Sequence, residues 1–167
     1  MKIYFIEVKS PGAHTFSKWP IPRTGTILLG TILKEKGHEV KVYIEDLAEL
    51  PDLSKFDDAY LIGISLITAT APRGFQLANA LKERYRDNPK PIVFGGTHPS
   101  FLPDESLEYC DYVIRGEGEE TLIELLEHLN TGKPIDSIMG LSFKNSEHEI
   151  VHNPPRELLK DLNEAPM

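Results

Sequence analysis

The regular alternation of short apolar runs with helical segments constrains this chain more than any other feature. Lys2–Val8 is rich in Ile, Tyr, Phe and Val, reads as a strand, and ends at Ser10-Pro11-Gly12. A polar loop through His14, Trp19 and Pro20 leads to Pro22, which opens a helical pattern carrying Ile27, Leu28, Ile32 and Leu33 and closing at Gly37. Proline near the start, basic residues in the last turn and glycine just past the end are the expected helix asymmetry. Glu39–Ile44 is a second strand, and Tyr60–Leu66 a third whose nearly unbroken apolar run implies burial on both faces.

The pattern then repeats. Pro72–Arg86 carries Phe75, Leu77, Ala78 and Leu81 at helical spacing, Pro91–Phe94 is a fourth strand stopped by Gly95-Gly96, and Pro103–Tyr109 is a short helix before the strand Tyr112–Ile114. Glu119–Asn130 buries a stripe of Leu122, Ile123, Leu125, Leu126 and Leu129. Such alternation builds βαβ units. It therefore predicts an α/β protein: an open parallel sheet of about five strands with helices on both faces. After Pro134 the texture changes, and Ile138–Lys144 with Glu149–Val151 reads as a β-hairpin. The expected organisation is a domain over 1–134, a hairpin extension over 135–152 and a linker over 153–167.

Composition narrows the function classes. At 167 residues the chain fits one domain. Its 18 basic against 26 acidic residues give a charge of −8, which disfavours nucleic acid and anionic membranes. A single cysteine, Cys110, excludes an internal disulfide or a multi-cysteine zinc or iron–sulfur site in this chain. The apolar run Ile3–Ile6 is cut at Glu7, unlike a signal peptide, so the expectation is a cytoplasmic protein.

In an open parallel sheet, ligands bind outside the carboxyl ends of the strands. The unusual residues fall there: Pro22, Thr24 and Gly25 after the first strand; Ser65, Thr68 and Thr70 after the third; Gly95, Gly96, Thr97 and His98 after the fourth; Gly116, Glu117, Gly118 and Glu119 after the fifth. Each has a plainer reading. Gly95-Gly96 serves equally as a tight turn, Thr68 and Thr70 as helix caps, Glu117 and Glu119 as carboxylates at a helix start, and His98 as a hydrogen-bonding loop residue. Neither G-x-G-x-x-G nor G-x-x-x-x-G-K-[ST] occurs, which argues against dinucleotide and P-loop chemistry. A hydrolase would pair Ser65 or Ser100 with His98, but no acid partner is evident and there is no G-x-S-x-G elbow.

The segments Gly63-Ile64-Ser65-Leu66-Ile67-Thr68, Val93-Phe94-Gly95-Gly96-Thr97-His98-Pro99-Ser100 and Val113-Ile114-Arg115-Gly116-Glu117-Gly118-Glu119 resemble the N-terminal cobalamin-binding domain of B12-dependent radical SAM proteins. Gly25…Leu33-Lys34-Glu35-Lys36-Gly37-His38-Glu39-Val40 is similar to that family's first helix and second strand. Gly140-Leu141-Ser142-Phe143 and Asp161-Leu162-Asn163-Glu164-Ala165-Pro166 resemble the stretch leading into its barrel. The resemblance implies a Rossmann-like fold binding cobalamin. The nucleotide tail would lie beside Ser65, Thr68, Gly95 and Gly96, the Pro22–Gly25 loop would face the lower side of the corrin, and Gly116–Glu119 would border the pocket.

The chain departs from the family pattern twice. Methyl-transferring relatives carry Asp-x-His-x-x-Gly after the first strand, with the histidine on cobalt; no such motif is read here, and His14 has the wrong spacing. The expectation is cobalamin without a protein histidine ligand. Radical SAM chemistry also needs Cys-x-x-x-Cys-x-x-Cys for a [4Fe–4S] cluster, so cluster and S-adenosylmethionine would belong to a parent enzyme carrying the barrel as partner, for methyl transfer or cyclisation. This chain would bind without catalysing. The alternative is a docking or substrate-gating domain of the same fold that has lost its cofactor.

Overall fold

The structure, a computed structural model, describes residues 1–10, 12 and 22–157. His14, Trp19 and the stretch 158–167 lie outside the described residues. The strands are β1 (Lys2–Glu7), β2 (Glu39–Ile44), β3 (Leu61–Ser65), β4 (Ile92–Gly95), β5 (Tyr112–Ile114), β6 (Leu141–Lys144) and β7 (Ile150–His152). They form one seven-stranded sheet in the order β2-β1-β3-β4-β5-β6-β7. The first five are parallel, while β6 and β7 add to the β5 edge antiparallel. The α/β expectation is met, and the hairpin continues the main sheet. Its turn closes because the Asn145 side chain accepts from the backbone N–H of both Glu147 and Glu149 at 2.9 Å.

The helices are α1 (Thr24–Glu35), α2 (Ala71–Arg84), α3 (Thr97–Phe101), α4 (Pro103–Ser106) and α5 (Glu119–Thr131), with a 3-10 turn at Leu53–Phe56. Strand alternation sends side chains to opposite faces, and this sorts the core in two. Tyr4, Ile6, Ile62, Ile64 and Phe94 pack with Leu77, Ala78 and Leu81 of α2. Ile3, Phe5, Leu61, Val93 and Ile114 pack with Leu33 of α1 and Leu122, Leu125 and Leu126 of α5. Burying each such Leu contributes roughly 1.5–3 kcal/mol.

The sequence pattern misses α3. Its Thr-His-Pro start reads as loop, yet Pro99 sits in the first turn, where a missing N–H costs nothing. From β1 the chain crosses to β2 on one side, then returns past β1 to β3 and onwards. The strand order thus reverses between β1 and β3, where an open sheet leaves a crevice at its carboxyl end. No helix among the described residues is long and apolar enough to cross a membrane.

Candidate functional site

A cavity of about 300 Å³ opens at that crevice, between the first turns of α1 and α5. Its floor is made by Phe5 of β1, Gly63 to Ser65 of β3, Val93 and Gly95 of β4, and Ile114 of β5. One wall is Gly25, Thr26 and Leu29 of α1; the opposite wall is Gly116 to Glu119 with Leu122 of α5. Glycine does two distinct jobs in it. A Cβ on Gly63 would lie 2.6 Å from the Phe5 ring, so this glycine lets β1 and β3 pack. A Cβ on Gly95 would meet nothing within 4 Å, so that glycine holds space open in the cavity.

Gly96 is fixed by its backbone. Its φ is +101°, and a Cβ there would sit 2.5 Å from the Leu66 carbonyl oxygen. The approach zips the loops after β3 and β4 together: Leu66 N–H donates to Gly95 O at 2.8 Å and His98 N–H donates to Leu66 O at 3.3 Å. Ser100 extends the connection, its Oγ donating to Gly96 O at 2.8 Å and accepting from Gly116 N–H at 3.0 Å. Three strand ends therefore present one joined platform.

A buried carboxylate secures the α1 wall. Glu7, 2% exposed, accepts from the Arg23 backbone N–H at 3.0 and 3.1 Å and from Thr26 Oγ1 at 3.3 Å, with Arg23 Nε 3.4 Å away. The Arg23 guanidinium also donates to Val8 O at 3.2 Å and Ser65 O at 3.3 Å, bridging the ends of β1 and β3. Burial lowers the Arg23 pKa, partly offset by Glu7. Glu45 is a similar strut beyond the end of β2: it accepts from Lys9 N–H at 3.1 Å and pairs with Arg73 at 2.6 Å. On the far side Arg115 donates to Leu141 O at 3.4 Å and to Asn153 O, and burial lowers its pKa.

Of the residues marked in the sequence, Gly25, Ser65, Gly95, Gly96, Gly116, Glu117, Gly118 and Glu119 line this cavity. Pro22, Thr24, Thr68, Thr70, Thr97 and His98 do not line it. Thr70 is buried and bonds within its own turn, accepting from Ile67 N–H and donating to Ile67 O, both at 3.1 Å. Thr24 and Thr97 are exposed at helix starts, and His98 is buried beside Thr68 on the α2 side of α3. The sequence reading did not single out Glu7, Thr26, Phe5 or Leu29, and included Arg23 only as part of the Pro22–Gly25 loop. Glu7 had a signal: a lone carboxylate between Ile6 and Val8 in an otherwise apolar run.

The model of the B12-binding domain matches residues 20–126. This chain belongs to the B12-binding domain family. An uncharacterized methyltransferase of Pyrococcus horikoshii is 32% identical over 155 residues, covering 87% of this chain and 33% of that protein. The anaerobic magnesium-protoporphyrin IX monomethyl ester cyclase of Synechocystis sp. is 27% identical, covering 98% of this chain and 34% of that protein. The chain thus spans about a third of the length of these relatives. Among solved structures, the cobalamin-dependent S-adenosylmethionine radical enzyme OxsB with aqua-cobalamin and S-adenosylmethionine bound superposes with a TM-score of 0.78 at 20% identity, over 94% of this chain and 22% of that one. The radical S-adenosylmethionine methyltransferase TsrM from Kitasatospora setae, with cobalamin and a [4Fe–4S] cluster bound, gives 0.72 at 22% identity, over 99% and 30%. At these identities the likeness is one of fold. This B12-binding domain is therefore similar to that of B12-dependent radical SAM methyltransferases and cyclases.

Proposed function

We propose that this chain is the cobalamin-binding module of a B12-dependent radical SAM enzyme that performs methyl transfer or cyclisation. The observation that carries the reading is the glycine-lined cavity at the strand reversal. Its volume is at the lower end of the ~300–1,000 Å³ of small-molecule sites, too small for a whole corrinoid and sufficient for its flat heterocyclic tail. The residues present fit that group: apolar faces on Phe5, Leu29, Val93 and Leu122 for the heterocycle, and open space over Gly95. Ser65 and the backbone of Gly95 and Gly96 supply polar partners to the tail, while Pro22 to Gly25 and Gly116 to Glu119 border the corrin. Glu7 and Arg23 hold the α1 wall in position and keep water from undercutting the loop.

Bound cobalamin supplies a cobalt that carries a methyl group or an electron, and the protein contributes position and environment. With one cysteine, this chain lacks the three ligands of a radical SAM cluster, so cluster and S-adenosylmethionine belong to a barrel that partners it. Cobalt takes no histidine ligand from this chain in our reading. Titration of the purified protein with hydroxocobalamin, followed by absorbance and calorimetry, tests both points. Saturation near one equivalent, with a spectrum unchanged in His14→Ala, is the expected result. A folded protein, by circular dichroism, that binds none would replace this reading with a docking domain.

A further inference from the structure

A second hollow, of about 430 Å³, opens at the other end of the sheet. Lys90 and Pro91 lead into β4 there, Tyr112 opens β5, Lys144 ends the antiparallel β6, and His148 lies in the β6–β7 turn. Tyr112 and Ile135 give the hollow an apolar side, packed against the core on the α5 face. Lys90, Lys144 and His148 give it a basic rim. Asp111 also lines it, but its carboxylate has other partners: it accepts from Ile92 N–H at 2.8 Å and lies 3.7 Å from Lys82 Nζ. Glu149, in the same turn as His148, accepts from Asn145 Nδ2 at 3.1 Å.

Two observations set this rim apart from ordinary surface charge. Lys2, Lys82 and Lys133 pair with carboxylates. Among the described residues neither Lys90 nor Lys144 does so, and Lys90 Nζ stands 5.8 Å over the Tyr85 ring. In a chain of net charge −8, two ammonium groups at one hollow are thus left without a counter-charge. The other observation is a backbone angle. His148 has a φ of +63°, and among the described residues no other side-chain-bearing position is left-handed. Its N–H donates to Asn145 O at 3.0 Å, closing the turn. Glycine would serve this position with less strain, so the imidazole stands there against a backbone cost.

We infer that this hollow is a binding site for a small phosphate monoester with an apolar body. The body lies against Tyr112 and Ile135, and the phosphate lies among Lys90, Lys144 and His148. Two uncompensated lysines match the dianion in charge, and the volume falls within the ~300–1,000 Å³ of small-molecule sites. Charge supplies the selectivity: the same body carrying an ammonium group is refused. The hollow shares no lining residue with the cavity at the carboxyl ends, so the inference stands independently of the cobalamin reading.

The test titrates the isotope-labelled protein with phenyl phosphate and follows backbone amide shifts by NMR. Saturable shifts should gather on the β6–β7 turn and the amino ends of β4 and β5, with a Kd of about a millimolar. Inorganic phosphate, which leaves the apolar side unused, should bind about ten-fold more weakly, and benzylamine should not bind. Lys90→Gln and Lys144→Gln should each weaken phenyl phosphate about five-fold, as loss of a surface ion pair does. His148→Gly separates the two roles of that residue: relief of the backbone should raise Tm by about 2–4 °C, while phenyl phosphate binds about five-fold more weakly. A His148→Gly protein that loses stability or binds as tightly as wild type would overturn the proposal. So would lysine variants with unchanged affinity, benzylamine binding as well as phenyl phosphate, or no saturable shift at this end of the sheet.

Discussion

The two ends of the sheet solve the problem of exposed strand termini in opposite ways. At the amino ends, the Lys2 ammonium lies 2.8 Å from both Glu39 and Asp58, and Tyr4 donates to Asp58 at 2.7 Å, so the polar groups close on one another. At the carboxyl ends, the charged groups reach outward to loops. Glu7 holds the Arg23 backbone and the Thr26 side chain, and Glu45 holds Lys9. The first network is mostly exposed, whereas the carboxylates of the second are buried. Exposed ion pairs contribute little, but a buried carboxylate deprived of its partners, or a cation left facing its vacancy, is costly. The amino end therefore finishes the sheet, and the carboxyl end holds a cavity open.

Four experiments break or sharpen that contrast. The largest effect should come from Glu7→Leu, which leaves the Arg23 backbone N–H and the Thr26 hydroxyl without their acceptor and the Arg23 guanidinium without its counter-charge. Urea denaturation should show a loss of about 3 kcal/mol, as for one partner of a buried pair. Next, Gly95→Trp fills open space, so stability should hold within about 0.5 kcal/mol while cobalamin affinity falls at least about a hundred-fold. Equal affinity would mean that the tail does not enter this cavity. Gly63→Val tests the other kind of glycine: its Cβ meets the Phe5 ring, and the cost by thermal or urea unfolding should be about 2 kcal/mol.

The smallest effect belongs to the amino end. Hydrogen bonds from Lys2 and Tyr4 hold the Asp58 carboxyl below its usual range, while burial and Asp58 push Tyr4 up to about 12. A depressed folded pKa gives stability that is present above the unfolded value and lost as pH falls through the folded one. Wild type should thus lose a small share of its Tm on acidification that Asp58→Asn never had. Matching acid profiles for the two proteins would show that the network contributes nothing measurable.

Much of this was legible along the chain. The helical stripe of Leu122, Leu125 and Leu126, the apolar run of β3 and the glycines after β4 and β5 are local signals, because period and backbone conformation are properties of neighbouring residues. The short helix α3 was not legible, since Thr-His-Pro also suits a loop. Nor were the walls of the cavity. Thr26 and Leu29 contribute only because α1 begins at Thr24 and turns them towards β1, and Phe5 only because it stands beside Gly63 in register.

The sequence by itself determined the α/β class, the strand ends where small and polar residues gather, and the family resemblance, all carried by short-range pattern. Tertiary structure alone decided which glycine packs and which keeps space, since that depends on what lies across the strand. It also decided that His98 faces Thr68 and Glu105 beneath the platform, and that Glu7 is a buried strut. These roles come from partners far apart along the chain, as Thr68 lies 30 residues from His98, brought side by side by the parallel pairing of β1 with β3 and of β3 with β4.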